Sequence, residues 1–567
     1  MSRWGFLAML AFIICSFTSD TEKNYPIDYF RSPVGHDMRL SGTFGELRPN
    51  HFHMGIDIKP KYGIGEKLYS VADGRVSRIN VSHRGYGNAI YIDHPNGYTS
   101  VYAHLHKFPT EIAEYVKAEQ YARESFTLEL YPDSTTFQVE KGEVIGYMGI
   151  SGRSFGTHLH FEIRDTKSEV PINPLLFGLK VKDNVPPVMN QLKVYYLDHQ
   201  LQSMKETVYT ARKGSKNYYI SKDTLEVGTA YLGLALKTYD RMDGVSNLNG
   251  IYRLRVLQDD QLIYEFESDA ISFDETRYLN AHSDYAHWKK DKSRFNRCFI
   301  LPGNQLSIYE NVENDGLISL DRNQASKIDL IAEDLHGNAS RMTIYAKHSD
   351  SVLDGESFVF NYVLPHDEPS IIQTSELELK VPEYALYEDL YLLYQASDEI
   401  SDGYYSSIHH IGDPLIPIHK YIDITIKSKP IPERLKGKAL IAKCDGSTVL
   451  ESFGGKWHGD QLKAKIRGLG DYCIVLDTIP PTIRPIKVSS TMATGYRMSF
   501  KIEDNLAGIS SYEGKVDGQW ILMEYDQKYD LLKHRFDGRI PKGKHEFQLR
   551  VTDTRGNVQT YSKNFVN

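Results

Sequence analysis

Six histidines of this 567-residue chain stand in three pairs at a spacing of two: His51 and His53, His104 and His106, His158 and His160. Imidazole exchanges protons near neutral pH and binds transition metals when neutral, so such pairs point to acid–base or metal chemistry. On a strand, residues i and i+2 share a face. In the run from His158 to Ile163 both imidazoles then leave one side, and Leu159, Phe161 and Ile163 leave the other. An apolar face backs a histidine-lined one. His53 and Asp57 stand four apart, a spacing that a helix would bring together, but Gly55, Ile56 and Ile58 oppose a helix. A regular strand would hold the two about 13 Å apart, so the chain must bend at Gly55. Two His and one Asp make three N/O ligands with a fourth position for water, the arrangement of a catalytic rather than a structural zinc. Spacing by itself leaves open which imidazoles bind, and any one pair alone fits ordinary polar strand residues.

The elements that must position these residues are short. Between about 26 and 180 the sequence predicts strands separated by glycine turns, over 67–71, 74–81, 89–93, 99–104, 144–148 and 158–163. One helix interrupts them, running to about Glu124 after Thr110 as N-cap, with Ile112, Tyr115, Val116 and Ala122 on one side. It lies in an insertion from about 107 to 139.

Three stretches carry a resemblance: His53-Met54-Gly55-Ile56-Asp57, Tyr102-Ala103-His104-Leu105, and Ser151-Gly152-Arg153-Ser154-Phe155-Gly156-Thr157-His158-Leu159-His160-Phe161-Glu162. They resemble the signature stretches of the lysostaphin-type (LytM-type) zinc endopeptidases. Val71 to Val76, Gly87-Asn88 before a strand ending Asp93-His94, and Lys141-Gly142-Glu143 with Gly146 and Gly149 are similar too. The likeness covers about residues 45–178. It implies an antiparallel β-sheet peptidase domain over 26–180, a zinc ion held by His53, Asp57 and His160, and His104 and His158 as an unliganded catalytic pair. His51, His83, His94 and His106 match no ligand position and read as surface residues or supports behind the ligands. Glu162 reads as a carboxylate at the rim or behind a ligand, with a general-base role as the alternative. Two departures stand out: Ile150 replaces a residue that is commonly polar in the family, and the 107–139 insertion exceeds the family's usual short loop. That insertion is expected either to wall the substrate groove or to be a surface decoration packed on the next domain.

By this resemblance the chain is an enzyme, a zinc metalloendopeptidase that hydrolyses the peptide cross-links of peptidoglycan through a metal-activated water. His104 and His158 would move the water's proton and stabilise the oxyanion. Two other readings stand beside it: a non-enzymatic LytM-type regulator or adaptor of a separate cell-wall hydrolase, and a zinc endopeptidase acting on exported proteins.

Composition bounds the rest. Hydrophobic residues at 41% and charged ones at 25% exclude a disordered chain and a polytopic membrane protein. A net charge of −8 recommends no nucleic acid as partner. Residues 1–18 read as a signal peptide, Arg3 preceding a charge-free run from Trp4 to Phe17, with no transmembrane segment after its removal. The expected location is the periplasm or cell envelope. A lipid anchor at Cys15 is the alternative, disfavoured by Ile14 where a small residue is expected. Cys298, Cys444 and Cys473 remain, an odd number that makes no disulfide framework. From 183 onward, short alternating runs of Tyr, Val, Ile and Thr predict about three β-sandwich modules: an immunoglobulin-like one with insertions over 183–350, a β-rich module over 356–476, and a second immunoglobulin-like one over 477–567. The two outer modules share landmarks. Asp183 with Pro186-Pro187, Asp240 with Gly244, and Asp334 with Gly337-Asn338 are echoed by Asp477 with Pro480-Pro481, Asp504 with Gly508, and Asp553 with Gly556-Asn557. Turn chemistry is expected to explain the repeated Asp and Gly residues, in preference to calcium ligation. The sandwiches are candidate surfaces for envelope protein partners.

Overall fold

A computed structural model of the chain describes residues 24–199, 202–322, 324–350, 359–397 and 403–567. The expected signal segment 1–18 and Cys15 lie outside the described residues. The fold is mostly β.

One nine-stranded antiparallel sheet carries the histidine segments. Its path runs Leu40–Gly42, Ile56–Ile58, Leu159–Asp165, Tyr98–Ala103, Ala89–Asp93, Gly74–Val81 and Gln138–Val139, with Leu128–Leu130 and Pro171–Ile172 paired off the path. Alternation along Leu159–Asp165 fixes its faces. Leu159, Phe161 and Ile163 are fully buried in the apolar core with Tyr102, Ile90 and Ile92, while His160, Glu162 and Arg164 leave the other side. Burying each of these three apolar side chains contributes roughly 1.5–3 kcal/mol, so the face that aims the histidine is held by its back. A slip of one residue in this register would turn His160 into the core.

The helix Thr110–Ala122 begins one residue earlier than expected: Pro109 is its N-cap, no side chain caps it, and Thr110 is the first helical residue. Its buried stripe is Ile112, Val116 and Gln120, spaced i, i+4, i+8. Ala122 is exposed, and Gln120 takes the inward place by donating its Nε2 to the Phe126 carbonyl at 2.8 Å. Ile112 and Val116 join the same core cluster as Leu159 and Phe161, so the helix packs on the apolar side of the sheet, away from His160. On its outer side the last sandwich docks: Lys117 pairs with Asp537, and Tyr121 meets the Trp520 ring at 5.3 Å and the Arg539 guanidinium at 4.0 Å.

Beyond 183, paired sheets follow one another. Val188–Leu197, Ser203–Thr210 and Tyr231–Tyr239 belong to a five-stranded sheet against an eight-stranded one centred on Arg253–Gln258 and Ser326–Glu333. Two five-stranded sheets carry Ile422–Lys427 and Gly470–Leu476, and two four-stranded sheets carry Arg497–Glu503 and Lys544–Asp553. The repeated landmarks have a common job. Asn338 donates its Nδ2 to the carbonyl of Asp183 at 3.4 Å, and Asn557 does the same to Asp477 at 3.0 Å, pinning the end of each copy to its beginning. Each Asn is in turn held by Asp334 or Asp553, whose Oδ1 also accepts two backbone N–H groups of the following turn. Insertions in the first copy include the helices Leu279–His282 and Tyr285–Asp291. The seam with the first sheet is apolar rather than a linker: Phe44, Phe52 and Met54 pack in the core of the first sandwich. Cys298, Cys444 and Cys473 are all buried and free.

Candidate metal centre

Gly55 lets the site form. The chain bends there, and a Cβ would stand 2.4 Å from the Phe161 carbonyl oxygen and 3.1 Å from His160 Cε1. With that close approach, Asp57 sits directly opposite His160 in the ladder, and His53 folds back over both. His53 Nε2, Asp57 Oδ1 and His160 Nδ1 converge, each 2.9–3.0 Å from the other two.

Their outward bonds decide what that convergence means. His53 Nδ1 faces the Thr43 carbonyl at 2.7 Å, and His160 Nε2 faces Glu162 Oε1 at 2.8 Å. With each ring's proton donated outward, two imidazole lone pairs and a carboxylate oxygen point at one spot. No more than one proton can sit among them, whereas a divalent ion takes all three. The residues fit a zinc ion on this ground. All three are buried. Burial opposes ionisation of Asp57, but His53 and His160 outweigh it and hold the carboxyl well below the usual range. Burial takes His53 down to about 4. His160 is pulled down by burial too, yet Asp57 and Glu162 outweigh that and raise it to about 9, which marks the spot as one that attracts positive charge.

Supports stand behind each of the three. Arg48 Nη2 lies 2.5 Å from the other Asp57 oxygen. Glu162 is fully buried, and both its oxygens are taken: Oε1 by His160 and by the Tyr86 hydroxyl at 2.6 Å, Oε2 by Arg164 Nε at 2.7 Å. Burial favours its neutral form, but Arg164 and then His160 hold it at about 2. Glu162 is therefore a carboxylate behind His160 rather than at the rim, and with both oxygens engaged on the buried side the geometry speaks against a general-base role. Arg48 and Tyr86 were not foreseen; Arg164 extends the His160, Glu162 alternation by one step and was legible from it.

The open side belongs to the other two histidines. His104 follows the strand Tyr98–Ala103 in a left-handed conformation, φ 60°, which turns its ring toward His158 with centroids 4.9 Å apart and toward His160 at 5.9 Å. Its Nδ1 donates to the Ser151 carbonyl at 2.9 Å; that of His158 donates to the Gly156 carbonyl at 2.9 Å. Both Nε2 atoms thereby keep a lone pair, and that of His158 lies 3.4 Å from Asp57 Oδ1. Burial, helped by the neighbouring imidazoles, lowers His104 to about 3, and burial also lowers His158. The structure thus brings together all five residues singled out from the sequence. The remaining histidines stay apart: His51 is exposed and bonded to the Pro49 carbonyl, and His94 is neither surface nor support but a core residue bonded to Ser100 and the Asp73 carbonyl.

Residues 51–122 and 134–174 match the profile of peptidase family M23, and residues 361–477 match that of the Zu5-like domain. The break in the first match falls at 123–133, after the helix Thr110–Ala122, so the helix lies within the matched residues. Among curated proteins, the chain is 31% identical over 159 residues to the DD-carboxypeptidase/endopeptidase Mpg of Neisseria meningitidis serogroup B, covering 28% of this chain and 27% of that one. It is 33% identical over 159 residues to the murein hydrolase activator NlpD of Salmonella dublin, covering 28% of this chain and 34% of the other. The match therefore spans about a third or less of these relatives. The catalytic domain of the antimicrobial peptidase lysostaphin from Staphylococcus simulans aligns over 25% of this chain and 91% of its own, at 21% identity and a TM-score of 0.19.

Proposed function

We propose, from a first domain of peptidase family M23 type, that this chain is an exported zinc metalloendopeptidase that cuts the peptide cross-links of peptidoglycan in the cell envelope. The observation that carries the reading is the convergence of His53 Nε2, Asp57 Oδ1 and His160 Nδ1 with two further neutral imidazoles on their open side. His53, Asp57 and His160 would hold the ion, with Glu162 and the Thr43 carbonyl fixing the two ring tautomers. Bound zinc supplies Lewis acidity, bringing the pKa of a water to about 7 and polarising a peptide carbonyl. His104 and His158 each keep an Nε2 lone pair, so one of the two would take up the water's proton there, and the resulting Nε2–H would face the developing oxyanion and pass that proton to the leaving amine.

The likeness to a murein hydrolase activator supports a second reading, a partner that switches on a separate wall hydrolase without cutting peptide itself. The two part at a single measurement. Purified protein with its zinc content determined is incubated with isolated peptidoglycan, with a glycine-rich polypeptide, and with peptidoglycan plus a wall hydrolase. The peptidase reading expects muropeptide cross-links to fall with the protein alone, and expects Ala at His53, Asp57 or His160 to lower both zinc and activity. Full zinc occupancy in His53→Ala would sink the ligand assignment. Cleavage of the polypeptide alone would move the substrate to exported proteins, and stimulation of the hydrolase without cleavage would favour the activator.

A further inference from the structure

The last sandwich reaches back to the loop that holds the carbonyl partners of His104 and His158. Lys528, in the turn between Glu524–Asp526 and Leu531–Arg535, sets its Nζ 2.5 Å from the Ile150 carbonyl oxygen and 3.1 Å from that of Ser154. Beside it Arg84 Nε donates to Gln527 Oε1 at 3.1 Å, and the His83 and Tyr525 rings lie 5.4 Å apart. The two carbonyls that the ammonium bridges bracket Ser151, whose own carbonyl accepts from His104 Nδ1. Two residues beyond Ser154 is Gly156, whose carbonyl accepts from His158 Nδ1, and the Ser154 hydroxyl also donates to that carbonyl at 2.8 Å.

The first domain ties this loop through other groups. The Asn88 N–H reaches Ser151 Oγ at 2.9 Å, and the Arg153 N–H reaches the Gly85 carbonyl at 2.9 Å. Ile150 brings no polar side chain of its own. A charged donor shared by two carbonyls is stronger than a neutral hydrogen bond, and here it comes from a residue 374 positions further along.

We propose that Lys528 is a positioning residue for the His104–His158 pair: its ammonium closes the 150–154 turn, and the closed turn fixes the tautomer and direction of both imidazoles. The proposal rests on the peptidase reading of the site. It makes the last sandwich a working part of a reaction centre whose ligands all lie in the first domain. Proton-transfer groups are sensitive to displacements of about 1 Å, so loss of the tie should appear in turnover rather than in metal or substrate binding.

Full-length Lys528→Ala and Lys528→Arg, compared with the unaltered chain, test it. The residue sits in a surface turn, so the fold should survive either change. In Lys528→Ala, zinc content and KM are expected to hold, kcat to fall on the order of tenfold, and amide hydrogen exchange over 149–158 to speed up; Lys528→Arg is expected to restore both kcat and protection. Unchanged exchange in Lys528→Ala overturns the proposal, as does faster exchange with kcat at the unaltered level, which would make the tie structural only. If the unaltered protein cuts nothing, the peptidase reading fails by itself, and the exchange comparison still decides whether Lys528 holds the loop.

Discussion

His160 and Glu162 stand two residues apart on one strand, and Glu162 Oε1 accepts from His160 Nε2 at 2.8 Å. That bond turns the Nδ1 of His160, rather than its Nε2, to His53 and Asp57. A carboxylate in this place raises the basicity of the ring and locks its orientation. Arg164 and Tyr86 take up the rest of the Glu162 lone pairs, so the carboxylate is fixed as firmly as the imidazole it serves.

Glu162→Gln should therefore weaken zinc binding by roughly 10–100-fold while leaving turnover near normal once zinc saturates the protein. Zinc competition against a chelator, followed by rates at saturating metal, separates the two effects. A variant that holds zinc at full strength and still turns over at a small fraction of the normal rate would put Glu162 back into the proton-transfer chemistry.

His104→Ala and His158→Ala should keep zinc and lose about 10²- to 10⁴-fold in activity, the usual worth of a positioned acid–base group. His158 Nε2 stands 3.4 Å from Asp57 Oδ1 but outside the three-atom group of His53, Asp57 and His160, and both rings use Nδ1 to bond the loop. Elemental analysis of each purified variant checks the first half; a variant without metal would make that histidine a ligand.

How much of this was legible depends on range. Alternation along 158–163 gave the two faces of the site strand, and the four-residue gap from His53 to Asp57 demanded the bend at Gly55; both are local geometry. Local counting erred at the helix, where the 3.6-residue period carries Ala122 off the Ile112, Val116 stripe and brings Gln120 onto it. Its start was misjudged because Thr110 resembles a cap by residue type, while Pro109 already holds the extended φ and ψ of the cap position. Arg48 on Asp57 and Lys528 on Ile150 leave no trace of that kind, because a loop and a separate module bring them in and no periodicity links them to the histidines. The repeated Asp and Asn landmarks are visible as a repeat, but the bonds from Asn338 to the Asp183 carbonyl and from Asn557 to the Asp477 carbonyl, which tie each sandwich end to its beginning, need the structure.

Asp240 offers a test by pH. It is 1% exposed, and burial first, then the charges of Asp183 and Asp334, raise its carboxyl to about 8. In the unfolded chain it titrates near 3.9. Between these values the folded state keeps a proton that the unfolded state releases, so this group's contribution is full below about 4 and is lost as pH rises toward 8. Asp240→Asn removes that slope. Thermal unfolding should find the variant's Tm gaining on the unaltered protein between about pH 5 and about pH 8, and a difference that stays constant across the window would contradict a buried, protonated Asp240.

For the 107–139 insertion the sequence leaves two readings, a wall of the substrate groove or a surface decoration packed on the next domain through Ile112, Tyr115 and Val116; the second is corrected in its residues, since Ile112 and Val116 enter the first domain's own core. This inward stripe of the helix Thr110–Ala122 joins the core on the side of the sheet opposite His160, and the helix's outward contacts go to the last sandwich through Lys117 and Tyr121. The sheet thus stands between the helix body and the face that carries the candidate ligands, a position that favours docking of the last sandwich over gating of a groove. The double change Lys117→Ala and Tyr121→Ala removes the ion pair, the ring contact with Trp520 and the cation–π contact with Arg539. A surface ion pair and two ring contacts together are worth on the order of 1–3 kcal/mol, so the last sandwich should be cut by a protease at lower concentration or shorter times while zinc content stays full. Cleavage of a small peptide should not rise. An increase of several-fold at constant zinc would return the helix to the rim of the site and overturn its assignment as a dock for the last sandwich.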